Sequence, residues 1–80
     1  MKRLLTTVLP DDVTLALYEK PLNHPHLCEY LIHGDNFSIA GDTFMFGTHL
    51  DPFTMDVKDR EYAVSIYHSI LTKLTTRLIG

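Results

Sequence analysis

The chain has 80 residues, a formal net charge of −3 and a single cysteine. Eighty residues can enclose one hydrophobic core, so we expect a single α+β domain over residues 1–80. Only seven residues are Lys or Arg, and they are scattered. This pattern disfavours nucleic-acid binding, which usually needs basic residues gathered on one face. The lone Cys28 excludes an internal disulfide, and no apolar stretch reaches the length of a membrane span, so we expect a cytoplasmic protein.

The first half of the chain shows the alternation of apolar and polar residues that is typical of strands. Residues 6–9 and 13–20 predict two strands joined by a turn at 10–12, where proline and aspartate favour a reversal. Two prolines within residues 21–25 predict a loop, because proline cannot donate to a sheet ladder. Residues 27–33 alternate again and predict a third strand.

The sequence after the third strand predicts further reversals. Gly34-Asp35-Asn36 is typical of a hairpin turn, since these residues tolerate positive φ. Residues 37–39 and 43–46 should continue the sheet, but the pattern leaves open whether 37–46 is one bent strand or two short ones. Residues 47–53 are predicted to be a loop. All predicted strands therefore lie within residues 3–47.

The strongest pattern is an amphipathic helix over about residues 56–78. Its apolar face repeats at helical spacing and comprises Ala63, Val64, Ile66, Tyr67, Ile70, Leu71, Leu74 and Leu78. Asp56 is placed to cap the start of this helix. The predicted fold is thus a four- to five-stranded antiparallel meander sheet, packed on one face by a single long C-terminal helix.

One group of residues has the chemistry of a metal site. His24, His26 and Cys28 recur at a spacing of two and would point the same way in an extended segment, with His33 nearby. Zinc binding is therefore one alternative function. No further ligand has an obvious spacing to complete the coordination sphere, and exposed loop histidines beside a small buried cysteine explain the same residues. Our main expectation is that the protein has no cofactor.

Catalytic signatures are missing from the sequence. It contains no nucleophile elbow, no glycine-rich phosphate loop and no dinucleotide-binding fingerprint. Serines and histidines are present, but nothing in their spacing indicates a nucleophile with a positioned base. We therefore expect a protein that is not an enzyme.

The remaining expectation concerns contact surfaces. One helix covers only one face of a sheet, so Ala16, Tyr18, Leu27 and Leu31 should point away from it, with Met45 as a further candidate for that surface. Phe53 and Met55 are predicted to be exposed in a loop. The predicted partner-binding residues are Tyr18, Leu31, Met45, Phe53 and Met55. The sequence thus favours a small non-catalytic protein-binding module of accessory, regulatory or inhibitor-like type, with a homodimer as one form, over the zinc-binding and nucleic-acid-associated alternatives.

Overall fold

The computed structural model describes residues 1–24, 26–47 and 50–79. It confirms an α+β fold built on an antiparallel sheet and a C-terminal helix. The elements in chain order are β1 (Lys2–Val8), β2 (Thr14–Pro21), β3 (Cys28–Asp35), β4 (Phe37–Ala40), β5 (Thr43–Phe46), β6 (Phe53–Val57) and α1 (Arg60–Ile79). In the described part of the chain, no helix is both long and apolar enough to cross a membrane.

Four strands form the main sheet, in the order β1-β2-β3-β6, and each neighbouring pair is antiparallel. The first three strands follow one another as the predicted meander. Strands β4 and β5 form a separate two-stranded hairpin, so the chain leaves the sheet after β3 and returns with β6. Gly41 has a φ of 63° at the turn of this hairpin. Residues 37–46 are therefore two short strands, which settles the alternative that the sequence left open.

The prediction of a hairpin at Gly34-Asp35-Asn36 is wrong. Asn36 does adopt a positive φ of 66°, but β4 does not pair with β3 after this corner. The Asn36 side chain donates to the Asp12 carbonyl at 3.0 Å, and its own carbonyl accepts from the Gly47 N–H at 3.2 Å. These bonds attach the corner to the β1–β2 turn and to the end of β5, so the corner redirects the chain out of the sheet.

The predictions that all strands lie within residues 3–47, that the loop of residues 47–53 includes Phe53 and that the helix starts at about 56 are also wrong. Residues 48 and 49 of that loop lie outside the described residues. Residues 53–57 form β6, and α1 begins only at Arg60. Asp59, not Asp56, caps the helix, because its carboxylate accepts the Tyr62 N–H at 2.9 Å. Asp56 is instead held in the sheet opposite Leu31.

The core lies between the sheet and α1, as the helical spacing predicted. The buried helix residues are Ala63, Tyr67, Ile70 and Leu74, which form a single stripe. They pack on Val13, Leu15, Leu17, Tyr30, Ile32 and Val57 from the sheet side. The Tyr67 hydroxyl lies 2.6 Å from the Thr7 hydroxyl and donates to the Leu15 carbonyl at 3.3 Å. These bonds satisfy the polar end of a fully buried tyrosine and connect the helix to β1 and β2.

The β4–β5 hairpin packs on the same side of the sheet as the helix. The ring of Phe37 is fully buried and lies over Gly34, where an added Cβ would come within 2.2 Å of it. Phe37 also packs against Phe44 and Phe53, with ring centroids 6.1 Å apart in both pairs. The missing side chain at Gly34 thus provides the space in which the hairpin docks.

Candidate functional site

The second face of the main sheet is the largest feature without a covering element in the described chain. Residues paired across neighbouring strands share a face. The sheet residues that belong to the core cluster, or pack against it, all lie on the side of the sheet that faces the helix. We call the other side the open face. Its members are Arg3, Thr6, Val8, Thr14, Ala16, Tyr18, Lys20, Glu29, Leu31, His33, Asp35, Thr54 and Asp56.

One row of the open face crosses all four strands. Arg3 pairs with Tyr18, Tyr18 pairs with Leu31, and Leu31 pairs with Asp56. Tyr18 and Leu31 are half-buried by their neighbours, while Arg3 and Asp56 are exposed. The row therefore has two apolar side chains at its centre, a cation at one end and a carboxylate at the other. We refer to it as the central row.

The neighbouring row is smaller and more polar. Thr6, Ala16, His33 and Thr54 face one another across the strands. The His33 Nδ1 lies 3.2 Å from the Thr54 hydroxyl, which joins β3 to β6 on this face. Ala16 is only 3% exposed although it lies outside the core cluster. Ala16 is therefore covered by its neighbours and adds little exposed surface to the open face.

Charges on the open face are separated by sign. The cations Arg3 and Lys20 lie on β1 and β2, whereas the carboxylates Glu29, Asp35 and Asp56 lie on β3 and β6. One half of the face is therefore positive and the other negative. Such an arrangement favours a partner with the reverse pattern, since complementary charges direct association and set its orientation.

The predicted partner-binding residues do not form a single patch. Tyr18 and Leu31 are direct neighbours on the open face. Met45 is 47% exposed on the β4–β5 hairpin, which packs on the helix side. The prediction that Phe53 and Met55 are exposed in a loop is wrong, because they lie on the helix side of β6 and pack against the core. Their alternation with Thr54 and Asp56 was the strand signal in the sequence.

The histidines and the cysteine are likewise distributed. His24 and His26 are exposed in the β2–β3 connection. There the Leu22 N–H donates to the Leu27 carbonyl at 3.0 Å, the Leu27 N–H donates to the His24 carbonyl at 3.3 Å, and His26 has a φ of 69°. The segment is thus not extended, so the condition under which these side chains would point the same way is not met. Pro25 lies outside the described residues. Cys28 packs toward the core.

His33 lies on the opposite side of the sheet from Cys28, because it follows Cys28 by five positions along β3 and an odd spacing places two side chains on opposite faces. Within the ranges that the structure describes, no three His, Cys, Asp or Glu side chains come close enough together to hold a metal ion.

A cleft with a volume of about 510 Å³ lies between the C-terminal half of α1 and the hairpin. Its lining residues are Asp42, Phe44, Thr72, Lys73, Thr76 and Arg77. The Arg77 guanidinium donates to the Asp42 carbonyl at 3.5 Å, and both threonine hydroxyls donate to helix carbonyls four residues earlier. Lys73 and Arg77 also lie where cations offset the negative end of the helix dipole. The cleft is therefore explained by packing of the hairpin on the helix.

One ionisable side chain in the described chain has a clearly shifted pKa. Burial raises the pKa of Tyr30 above its usual value, and the carboxylate of Glu19, its cross-strand neighbour, raises it further. Both effects disfavour the tyrosinate. Tyr30 lies on the helix side of β3 within the core cluster, so the shift belongs to the packed core and not to the open face.

Comparison with known proteins adds no functional evidence. The chain matches no protein-family model, and no curated protein or solved structure is significantly similar to it.

Proposed function

We propose that this protein is a non-catalytic module that acts by binding another polypeptide on the open face. One observation carries the proposal: the apolar pair of Tyr18 and Leu31 lies at the centre of a four-stranded face that no other described element covers. Antiparallel sheets tolerate water on one face when that face is polar. A tyrosine and a leucine side by side at its centre instead favour a contact surface, with the tyrosine as its anchor.

The charges around this pair support a protein partner over other classes of ligand. Cations and carboxylates both border Tyr18 and Leu31, which disfavours a nucleic acid or any other polyanion. The face is also broad and shallow, whereas small molecules bind in concave pockets. A polypeptide surface with its own apolar centre and mixed charged rim fits this arrangement best.

Site-specific photo-crosslinking in cells that produce the protein tests the proposal. A photoreactive residue at Leu31 should give adducts with a polypeptide, whereas the same residue at Ser69, exposed on the outer side of α1, should not. The substitution Leu31→Lys should reduce adducts formed from a photoreactive residue at Tyr18, because it places an ammonium group within the apolar pair. Equal labelling from Leu31 and Ser69, or none from either open-face position, would contradict the proposal.

A further inference from the structure

We propose that the polypeptide bound on the open face is a second copy of this chain, and that the two sheets stack with a two-fold axis parallel to their strands. This inference rests on the proposed binding role of the open face. It follows from the charge pattern of the open face. A line between β2 and β3 divides this face into a positive half, with Arg3 and Lys20, and a negative half, with Glu29 and Asp56. Such a face is complementary to itself when one copy is turned over about that line.

The direction of the axis determines which residues meet. With the axis along the strands, β1 lies over the partner's β6 and β2 over the partner's β3. Arg3 then faces the partner's Asp56, and Tyr18 faces the partner's Leu31. With the axis across the strands, each strand would lie over its own copy and like charges would meet. The sign separation on the open face therefore selects the first arrangement.

The dimensions of a sheet allow these contacts. Stacked sheets lie about 10 Å apart and are rotated by about 30°. Since outer strands lie about 7 Å from the axis, that rotation shifts them by about 4 Å along the strands, which the long side chain of Arg3 can span. The two contacts between Arg3 and the partner's Asp56 would close the two edges of the interface around an apolar centre.

The size of the face predicts a weak dimer. Four strands of about seven residues give a footprint of roughly 19 × 24 Å, or about 450 Å² on each copy. Stable interfaces bury about 800 Å² on each partner. We therefore expect a dissociation constant in the micromolar range. We also expect the charged residues at the rim of the interface to contribute strongly to the relative orientation of the two copies.

Charge reversal with complementation is the decisive experiment. Analytical ultracentrifugation from about 5 to about 500 µM would measure it, because this range brackets a dissociation constant in the micromolar range. The native chain should form dimers. Arg3→Glu or Asp56→Arg alone should each raise the dissociation constant about tenfold, because attraction becomes repulsion at two symmetry-related contacts. An equimolar mixture of the two variants should dimerise like the native chain, since each contact again joins a carboxylate to a guanidinium.

A matched control makes the same charge change elsewhere. Arg60→Glu alters an exposed residue at the start of α1 and should leave the dissociation constant unchanged. Circular dichroism should show that all variants are folded, since every altered side chain is exposed. A native chain that stays monomeric at the highest concentration would overturn the dimer, while crosslinks from Leu31 to a different protein would still support the proposed binding role. The arrangement would be overturned if neither charge reversal changed the dissociation constant. It would also be overturned if the mixture of the two variants had a dissociation constant no lower than that of either variant alone.

Discussion

The contact between Gly34 and Phe37 gives a sharp test of how the hairpin docks on the sheet. A Cβ added at Gly34 would lie 2.2 Å from the Phe37 Cζ and 2.3 Å from Cε1, far inside van der Waals contact. The ring is fully buried, so it can move only by disturbing its packing against Phe44 and Phe53. Gly34→Ala should therefore destabilise the fold by about 1–3 kcal/mol, the usual cost of overpacking a core.

A small opposing effect belongs in this estimate. Replacing glycine by alanine reduces the conformational freedom of the unfolded chain and stabilises a compatible site by about 0.4–1 kcal/mol. The steric cost at Gly34 is larger, so we expect net destabilisation. In a domain of this size, each kcal/mol lowers the melting temperature by about 4–8 °C. Urea denaturation followed by circular dichroism would measure the free energy of unfolding directly.

The other described glycines supply matched controls. A Cβ at Gly47 would meet Leu50 at an ordinary 3.7 Å, so Gly47→Ala should be neutral or slightly stabilising. At Gly41 nothing lies within 4 Å but φ is +63°, so Gly41→Ala should cost about 1 kcal/mol from backbone strain alone. Adding Phe37→Leu should reduce the cost of Gly34→Ala, because the cycle isolates their contact. If Gly34→Ala were as stable as Gly47→Ala, the ring of Phe37 would not lie where the structure places it.

Three further predictions concern the helix and the core. Tyr67→Phe should lower the free energy of unfolding by about 1 kcal/mol in urea denaturation, because it removes the hydroxyl bonded to Thr7; no change would mean that this bond does not contribute. Asp59→Ala should cost about 1 kcal/mol and reduce helical circular dichroism through loss of the cap; an unchanged melting curve would contradict that role. Since the pKa of Tyr30 is raised above 10.0, its contribution to stability is complete below pH 10 and is lost as the pH rises through its folded-state pKa. In urea titrations Tyr30→Phe should flatten this alkaline loss, and Glu19→Gln should make it smaller, because it removes a charge that raises the folded-state pKa. A decline identical to that of the native chain would refute the assignment.

The sequence predicted the helix well because its signal is local. The stripe through Ala63, Tyr67, Ile70 and Leu74 repeats at helical spacing, and its burial requires only that some apolar surface lie opposite it. The start of the helix was misplaced because Asp56 and Asp59 are equally suitable caps in sequence. Only the pairing of residues 53–57 with β3 decides between them, and that pairing joins residues that are 19 to 27 positions apart in the chain.

Long-range pairing also explains what the sequence showed of the open face and what it did not. Tyr18 and Leu31 were predicted to share a face because each lies in a strand with clear alternation. The positions of Arg3 and Asp56 beside them could not be predicted. Arg3 pairs with Tyr18 because the register of β1 shifts between Arg3 and Leu5. Asp56 pairs with Leu31 only because β6 pairs with β3. The charge separation is thus a property of the sheet and not of any local motif.

The widths of the layers explain why the open face has no cover in the described chain. Four strands span about 19 Å, whereas a helix with its side chains is about 10–12 Å across, so α1 alone cannot cover the apolar side of the sheet. The hairpin supplies the rest, with Phe37 over Gly34 and Phe44 beside Lys73 of the helix. Both α1 and the hairpin are therefore needed on one side of the sheet. Within the described chain nothing shields the apolar centre at Tyr18 and Leu31 from water, and the proposed second copy would present the reverse charge pattern to the sign separation around it.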